Sequence, residues 1–364
     1  MVRVAPMLMD GGDVFVMPAR RLRSRLRFRL DAALSPGPDG VDMLTTPVCE
    51  LFGVTHPVVL GGMGLGTNPD LVAAVSDAGG LGIQGCGGRP PGEITRLAAT
   101  IRDRTDRPFG LNLLLFRAGD AEWDATLAAR PPVVSTAWAR ADQPLGELFT
   151  QAHDAGAKVL HMVSTVPEAA RAAEAGADAV VAQGTEGGGH VGLMGTMVLV
   201  PMVARAIAPV PVIAAGGLAD GAGLAAALML GAHGALFGTR FLATTEASIP
   251  QAYKQVLVDS DGHNTVVTEL PDVASATVWP GAYARVERNR FYETWAGREG
   301  ELRYRHAEAA ASAWRALEAG DTDNAFLYTG QTAGLIDTIE PAGLVVERIV
   351  TEASERLRGT RFMG

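Results

Sequence analysis

The chain has 364 residues, 48% of them apolar, and a formal net charge of −9. That size and hydrophobicity suit one large α/β domain or a domain with a helical addition, while the acidic balance argues against a nucleic-acid surface. Cys49 and Cys86 are too few for a disulfide framework or a zinc centre, and no apolar run reaches the roughly 18 residues needed to cross a membrane, so the expectation is a cytoplasmic protein with no metal, nucleic-acid or membrane partner.

Residues 1–43 read as an N-terminal extension outside the fold. The stretch Arg20 to Leu30, RRLRSRLRFRL, alternates arginine with other residues at period two, so a helix would spread its charges around the circumference. It lacks the apolar core of a secretory signal. SPGPDG, Ser35 to Gly40, then reads as a linker. An arm packed on a neighbouring subunit and a targeting or anion-binding segment are the alternatives.

From Pro57 onward, β-branched runs alternate with Ala/Leu-rich stretches of helical period. The runs at 57–62, 81–85, 109–115, 132–138, 158–164, 179–184, 211–217 and 234–240 read as eight strands. The stretch after the first is a helix with Asn68 as its N-cap, Pro69 in its first turn and glycines at its end. Eight strand–helix units predict a (β/α)8 TIM barrel rather than a doubly wound sheet, whose nucleotide fingerprint would follow the first strand. The barrel is expected to span residues 44–242 and 331–364. Residues 243–330 break the rhythm and predict a mainly helical insertion over the barrel mouth, and the apolar spacing in 340–359 predicts the helix that closes the barrel.

Glycines cluster at the ends of strands. AAGGLADG ends strand seven and FGTR ends strand eight, the pair of loops where barrels often hold a phosphate on backbone N–H groups. Gly216, Gly217, Gly238 and Thr239 could supply those donors, and tight strand-to-loop turning is the other reading. QGTEGGGHVG, Gln183 to Gly192, sets three glycines before His190 at the end of strand six. Glycines let a planar ligand approach the backbone. An imidazole beside them can act as acid or base near neutrality, or can be an ordinary hydrogen-bonded histidine. His161 lies inside strand five and predicts core packing, and His56 lies at the opposite face. There is no H-E-x-x-H pair and no G-x-S-x-G elbow.

THPVVLGGMG, AAVSDAGGLG, RPFGLNLLL, ADAVVAQGTEGGGHVG, PVIAAGGLADGAGLAAALMLGAHGALFGTRFLAT and YTGQTAGLI together resemble the nitronate monooxygenase family, formerly the 2-nitropropane dioxygenases, over about residues 46–355. The resemblance implies an FMN-dependent TIM barrel related to the FMN-type enoyl-acyl-carrier-protein reductases and some NADH:quinone reductases. It implies that Gly61, Gly62 and Met63 run along the flavin ring and that Asn112 and Gln183 bind the ring or its ribityl chain. It places the phosphate at Gly216, Gly217, Gly238 and Thr239, sets Gly188 in the glycine run beside the cofactor, and brings Gln331 and Gly334 back over the mouth. His190 matches the family's catalytic histidine.

The implied reaction is oxidation of a nitroalkane or nitronate by O2 to a carbonyl compound and nitrite. Leu60-Gly61-Gly62-Met63 and His190-Val191-Gly192 depart from the Gln-Ala-Pro-Met and His-Arg-Gly of many nitronate monooxygenases and look closer to the reductases. NAD(P)H-dependent reduction of an enoyl thioester or quinone is therefore the alternative, a non-catalytic flavin-binding barrel is a third, and a homodimer is left open.

Overall fold

The computed structural model describes residues 34–36 and 42–359, and most of the expected extension lies outside them. Where it is described, Leu34–Pro36 pairs antiparallel with Asp42–Leu44, so the start of the segment read as a linker is strand.

Eight parallel strands form the barrel wall: Val58–Leu60, Gly82–Gly85, Phe109–Leu114, Val133–Ala137, Lys158–Val163, Ala179–Gln183, Val212–Ala215 and Gly234–Phe237. Each falls inside a predicted run. Strand eight pairs with strand one, and a parallel bridge between Val59 and Leu81 closes the ring towards strand two. Alternation along the strands divides the core in two. Val59, Ile83, Val133, Val181 and Ile213 form one buried cluster with Val48 and Phe52 of the helix Pro47–Phe52, which plugs one end of the barrel. Their strand neighbours Val58, Leu60, Leu111, Val134, Val180 and Val212 face the surrounding helices in the other.

Local chemistry explains the helix starts. Asn68 accepts from Leu71 N at 2.8 Å with Pro69 in the first turn, and Thr165 with Glu168 forms a reciprocal capping box. The last helix, Ala342–Gly359, lies against Gly221–Met229, the helix after strand seven. A Cβ on Gly221 would sit 2.6 Å from the Ile349 carbonyl, so only glycine allows that approach.

The insertion carries the helices Gln251–Asp259, Leu270–Ala274, Arg290–Trp295, Glu299–Tyr304 and His306–Glu318, and also two strands that the helical reading did not foresee. Thr265–Thr268 pairs antiparallel with Tyr283–Glu287, which pairs in turn with Gly189–Val191 from the loop after barrel strand six. A three-stranded sheet thus ties the insertion to the mouth at the segment that carries His190.

Candidate active site

The C-terminal ends of the strands bring the glycine loops together. A Cβ on Gly188 would lie 2.5 Å from Gly330 N, so the 184–188 loop and the returning 330–331 segment touch backbone to backbone. Gly330 N donates to Thr239 Oγ1 at 3.1 Å, and Gln331 N donates to the Glu186 carbonyl at 3.0 Å. Gly216 has φ +84°, and a Cβ there would sit 2.6 Å from the Gly184 carbonyl, so both conformation and space demand glycine. Gly217 follows it in the same turn.

The far side of the mouth joins through strands one, three and eight. Gly61 N donates to the Phe237 carbonyl at 3.0 Å, and the Gly62 carbonyl faces Asn112 Nδ2 at 3.5 Å. Asn112 Oδ1 accepts from Ser135 Oγ at 2.9 Å, which fixes the amide's orientation. The Met63 sulfur lies beside Gly238, 3.7 Å from where its Cβ would be. Gly334 packs on the insertion, where a Cβ would meet the Asp261 carbonyl at 2.5 Å, beside Gly262 and the Gln331 carbonyl.

One observation bears on whether this cradle suits a ligand such as a flavin. Gln183 Oε1 is buried at the end of strand six with no partner among the described residues, so its amide offers a free acceptor to a ligand or a water. The nearby helix N-termini are already satisfied by the chain's own carboxylates. Asp220 accepts from Gly223 N at 2.8 Å, Glu352 from Gly221 N at 3.2 Å, and Glu186 from Thr196 N at 3.0 Å. The Gly238–Thr239 turn opens the short helix Thr239–Leu242, which has no side-chain cap among the described residues.

His190 occupies the other side. It pairs with Ala284 across the small sheet. Its Nε2 lies 2.8 Å from Asp272 Oδ1, with both side chains largely buried, and its ring stacks on Trp279 at 3.4 Å between centroids and 11° between planes. Tyr328 sits 5.7 Å away at a tilt, and burial together with the Asp272 charge pushes its phenol well above the usual range, so it stays neutral. Trp279 also meets Phe116 at 4.6 Å and Trp138 edge-on at 6.2 Å. Trp138 follows strand four with φ +56°, a left-handed conformation that costs a side-chain-bearing residue on the order of 1 kcal/mol.

Asp272, Trp279, Phe116, Trp138 and Tyr328 were not read from the sequence. The one local signal was an acid amid apolar residues in LPDVA. Three other histidines have partners of their own. His161 is buried between the wall and Phe149, bonded through Nδ1 to Thr136 Oγ1 at 2.7 Å, and desolvation pushes its pKa down to about 3. His153 pairs with Asp178, and His233 Nδ1 accepts from Val212 N at the start of strand seven.

Eight parallel strands alternating with helices define a TIM barrel, here with a glycine-lined mouth and a histidine on the loop after strand six. The nitronate monooxygenase family profile matches residues 45–130 and 124–352, and the chain belongs to that family. It is 35% identical to a (3aS,4S,5R,7aS)-5-hydroxy-7a-methyl-1-oxo-octahydro-1H-indene-4-carboxyl-CoA dehydrogenase of Mycobacterium tuberculosis, over 86% of this chain and 98% of that protein. The structure of FabK from Thermotoga maritima superposes with a TM-score of 0.79 at 37% identity, over 87% of this chain and 98% of that one. A nitroalkane oxidase from Streptomyces ansochromogenes does so with 0.74 at 30% identity, over 85% and 98%.

Proposed function

We propose that the protein is an FMN-dependent oxidoreductase that adds or removes hydrogen across the carbon–carbon bond beside a thioester carbonyl. The observation that carries this reading is His190, with one ring nitrogen tied to Asp272 and the other free of any hydrogen bond among the described residues, on the loop that joins the glycine cradle to the insertion. A thioester carbonyl acidifies the neighbouring C–H, so an imidazole can exchange that proton at neutral pH. Bound FMN would supply the two-electron donor or acceptor. Gly216, Gly217, Gly238 and Thr239 would hold its phosphate, Asn112 and Gln183 its ring or ribityl chain, and Gly61, Gly62 and Met63 would run along it. Gly188 and Gln331 would seal the mouth, with the aromatic group around Trp279 excluding water on the substrate side. The identity to a carboxyl-CoA dehydrogenase supports the thioester, as do Gly-Gly-Met and Gly-Gly-Gly-His in the two mouth loops.

Oxidation of a nitroalkane or nitronate by O2 is the second reading, supported by the family match and the likeness to a nitroalkane oxidase. There His190 would deprotonate the neutral nitroalkane or hold the nitro oxygens. Anaerobic mixing separates the two. If NADPH or NADH bleaches the FMN-loaded protein and crotonyl-CoA then restores the colour with formation of butyryl-CoA, the first reading holds. Bleaching by the nitronate of nitroethane, with none by either nicotinamide and no effect of acyl-CoA, would replace it by the second.

A further inference from the structure

We infer that Asp272 is the positioning residue for His190: it accepts the Nε2–H, holds the imidazole in the tautomer whose lone pair is on Nδ1, and so makes Nδ1 the nitrogen that exchanges the proton. The tautomer follows from the structure alone, whereas its use in turnover rests on the acid–base reading of His190.

The geometry runs as a chain of restraints. An ionised carboxylate only accepts, so an imidazole nitrogen 2.8 Å from Asp272 Oδ1 must carry the hydrogen. In the neutral ring the proton-free nitrogen is then Nδ1. Rotation of the ring to exchange its nitrogens is opposed on three sides. The backbone is pinned opposite Ala284, one ring face is covered by Trp279 at 3.4 Å, and Tyr328 stands 5.7 Å away. Among the described residues, the ionisable side chains brought to the imidazole are Asp272 and Tyr328, and Tyr328 stays protonated. Asp272 itself sits in a five-residue helix, Leu270–Ala274, whose Leu270 and Ala274 anchor it in the apolar core of the insertion.

Among the described residues, the one side-chain hydrogen bond that Asp272 receives is from His190. The insertion thus brings an acid 82 residues downstream to one imidazole edge. The same logic orients the histidine of a Ser-His-Asp triad, where the acid selects tautomer and angle and takes no proton.

The test is 15N NMR of the full-length, histidine-labelled protein above neutral pH, with the His190 signals assigned by their loss in His190→Asn. We expect Nε2 to resonate as a protonated nitrogen and Nδ1 as a bare one. Asp272→Asn keeps the shape but offers an N–H donor as well as an acceptor, so the Nδ1–H form should gain population. In that variant kcat should fall on the order of 10²–10⁴-fold with KM changed less than about threefold. Asp272→Glu should restore the wild-type tautomer and part of the rate. Predominant Nδ1–H in the wild type, or a tautomer indifferent to Asp272→Asn, would overturn the inference. An altered tautomer with unchanged turnover would keep Asp272 as the orienting group and overturn the role of Nδ1 as the reacting nitrogen.

Discussion

The two sides of the mouth are built from different material. On the proposed function the cofactor side is mostly backbone: Gly188 meets Gly330 and Gly216 meets Gly184 at distances that leave no room for a Cβ, and the 330–331 segment lies across the loop after strand six. The reaction side is side chain: His190, Asp272, Trp279 and Tyr328 converge from one barrel loop and three stretches of sequence downstream. On the proposed function, binding and chemistry are separable. One half should fail through geometry, with loss of flavin and stability, and the other through rate, with flavin still bound.

The sharpest challenge to that division is His190→Asn. Asparagine keeps a polar group of similar reach, so FMN binding should survive while turnover falls about 10²–10⁴-fold, the usual contribution of general acid–base catalysis. Steady-state kinetics beside an FMN titration checks it. Flavin loss equal to the rate loss would erase the distinction between the halves. On the second reading the fall should be confined to neutral nitroalkanes, because a pre-formed nitronate has no proton to remove.

Gly188→Ala attacks the other half. Its Cβ would press into Gly330 N at 2.5 Å, forcing two backbone segments apart. The expected cost is about 1–3 kcal/mol of stability with weakened FMN binding, read by thermal melting with and without FMN.

A smaller effect contrasts the working histidine with the structural one. His161 is buried neutral with its pKa pushed down to about 3, whereas the unfolded chain protonates near 6.5. A depressed folded value contributes stability above the unfolded pKa and loses it as pH falls. Between pH 7 and pH 5 the loss from this residue should be on the order of 1–2 kcal/mol. Melting curves at the two pH values should show that part of the acid sensitivity disappear in His161→Gln, and equal sensitivity in both proteins would contradict it.

At the small end is Gly92→Ala. Gly92 lies in the helix Pro91–Arg102, where a Cβ meets nothing within 4 Å. Alanine should raise stability by about 0.4–1 kcal/mol and leave flavin and turnover unchanged. Damage there, seen in the same melting and kinetic measurements, would mean that the mouth glycines are not special.

The same division explains what the sequence reveals. Strands and glycine turns are local signals: VVL, FGLNLL and VIAA carry β-branched and apolar runs between glycines and prolines, and all eight strands fall where the pattern puts them. Asn68 announces its helix because a cap acts within three residues. His190 is legible because it follows a glycine run. Asp272 and Trp279 are not, because their role comes from the pairing of Tyr283–Glu287 with Gly189–Val191, and cross-strand register over about 90 residues leaves no periodic trace. The insertion reads as helical for the same reason: its two strands, of four and five residues, are too short to dominate composition. Gly334 shares the GQTAG stretch with Gln331, and the turn Gln331–Leu335 packs both against Asp261 and Gly262 of the insertion.

The central claim is that the glycine half holds FMN while the insertion half works on the substrate, and FMN titration of Gly216→Ala beside Asp272→Asn tests it most directly. Wild type and Asp272→Asn should bind FMN with equal affinity. Gly216→Ala, with a Cβ forced into a left-handed turn 2.6 Å from the Gly184 carbonyl, should lose at least about tenfold in affinity. Equal binding by all three proteins, or weaker binding by Asp272→Asn than by Gly216→Ala, would contradict the account.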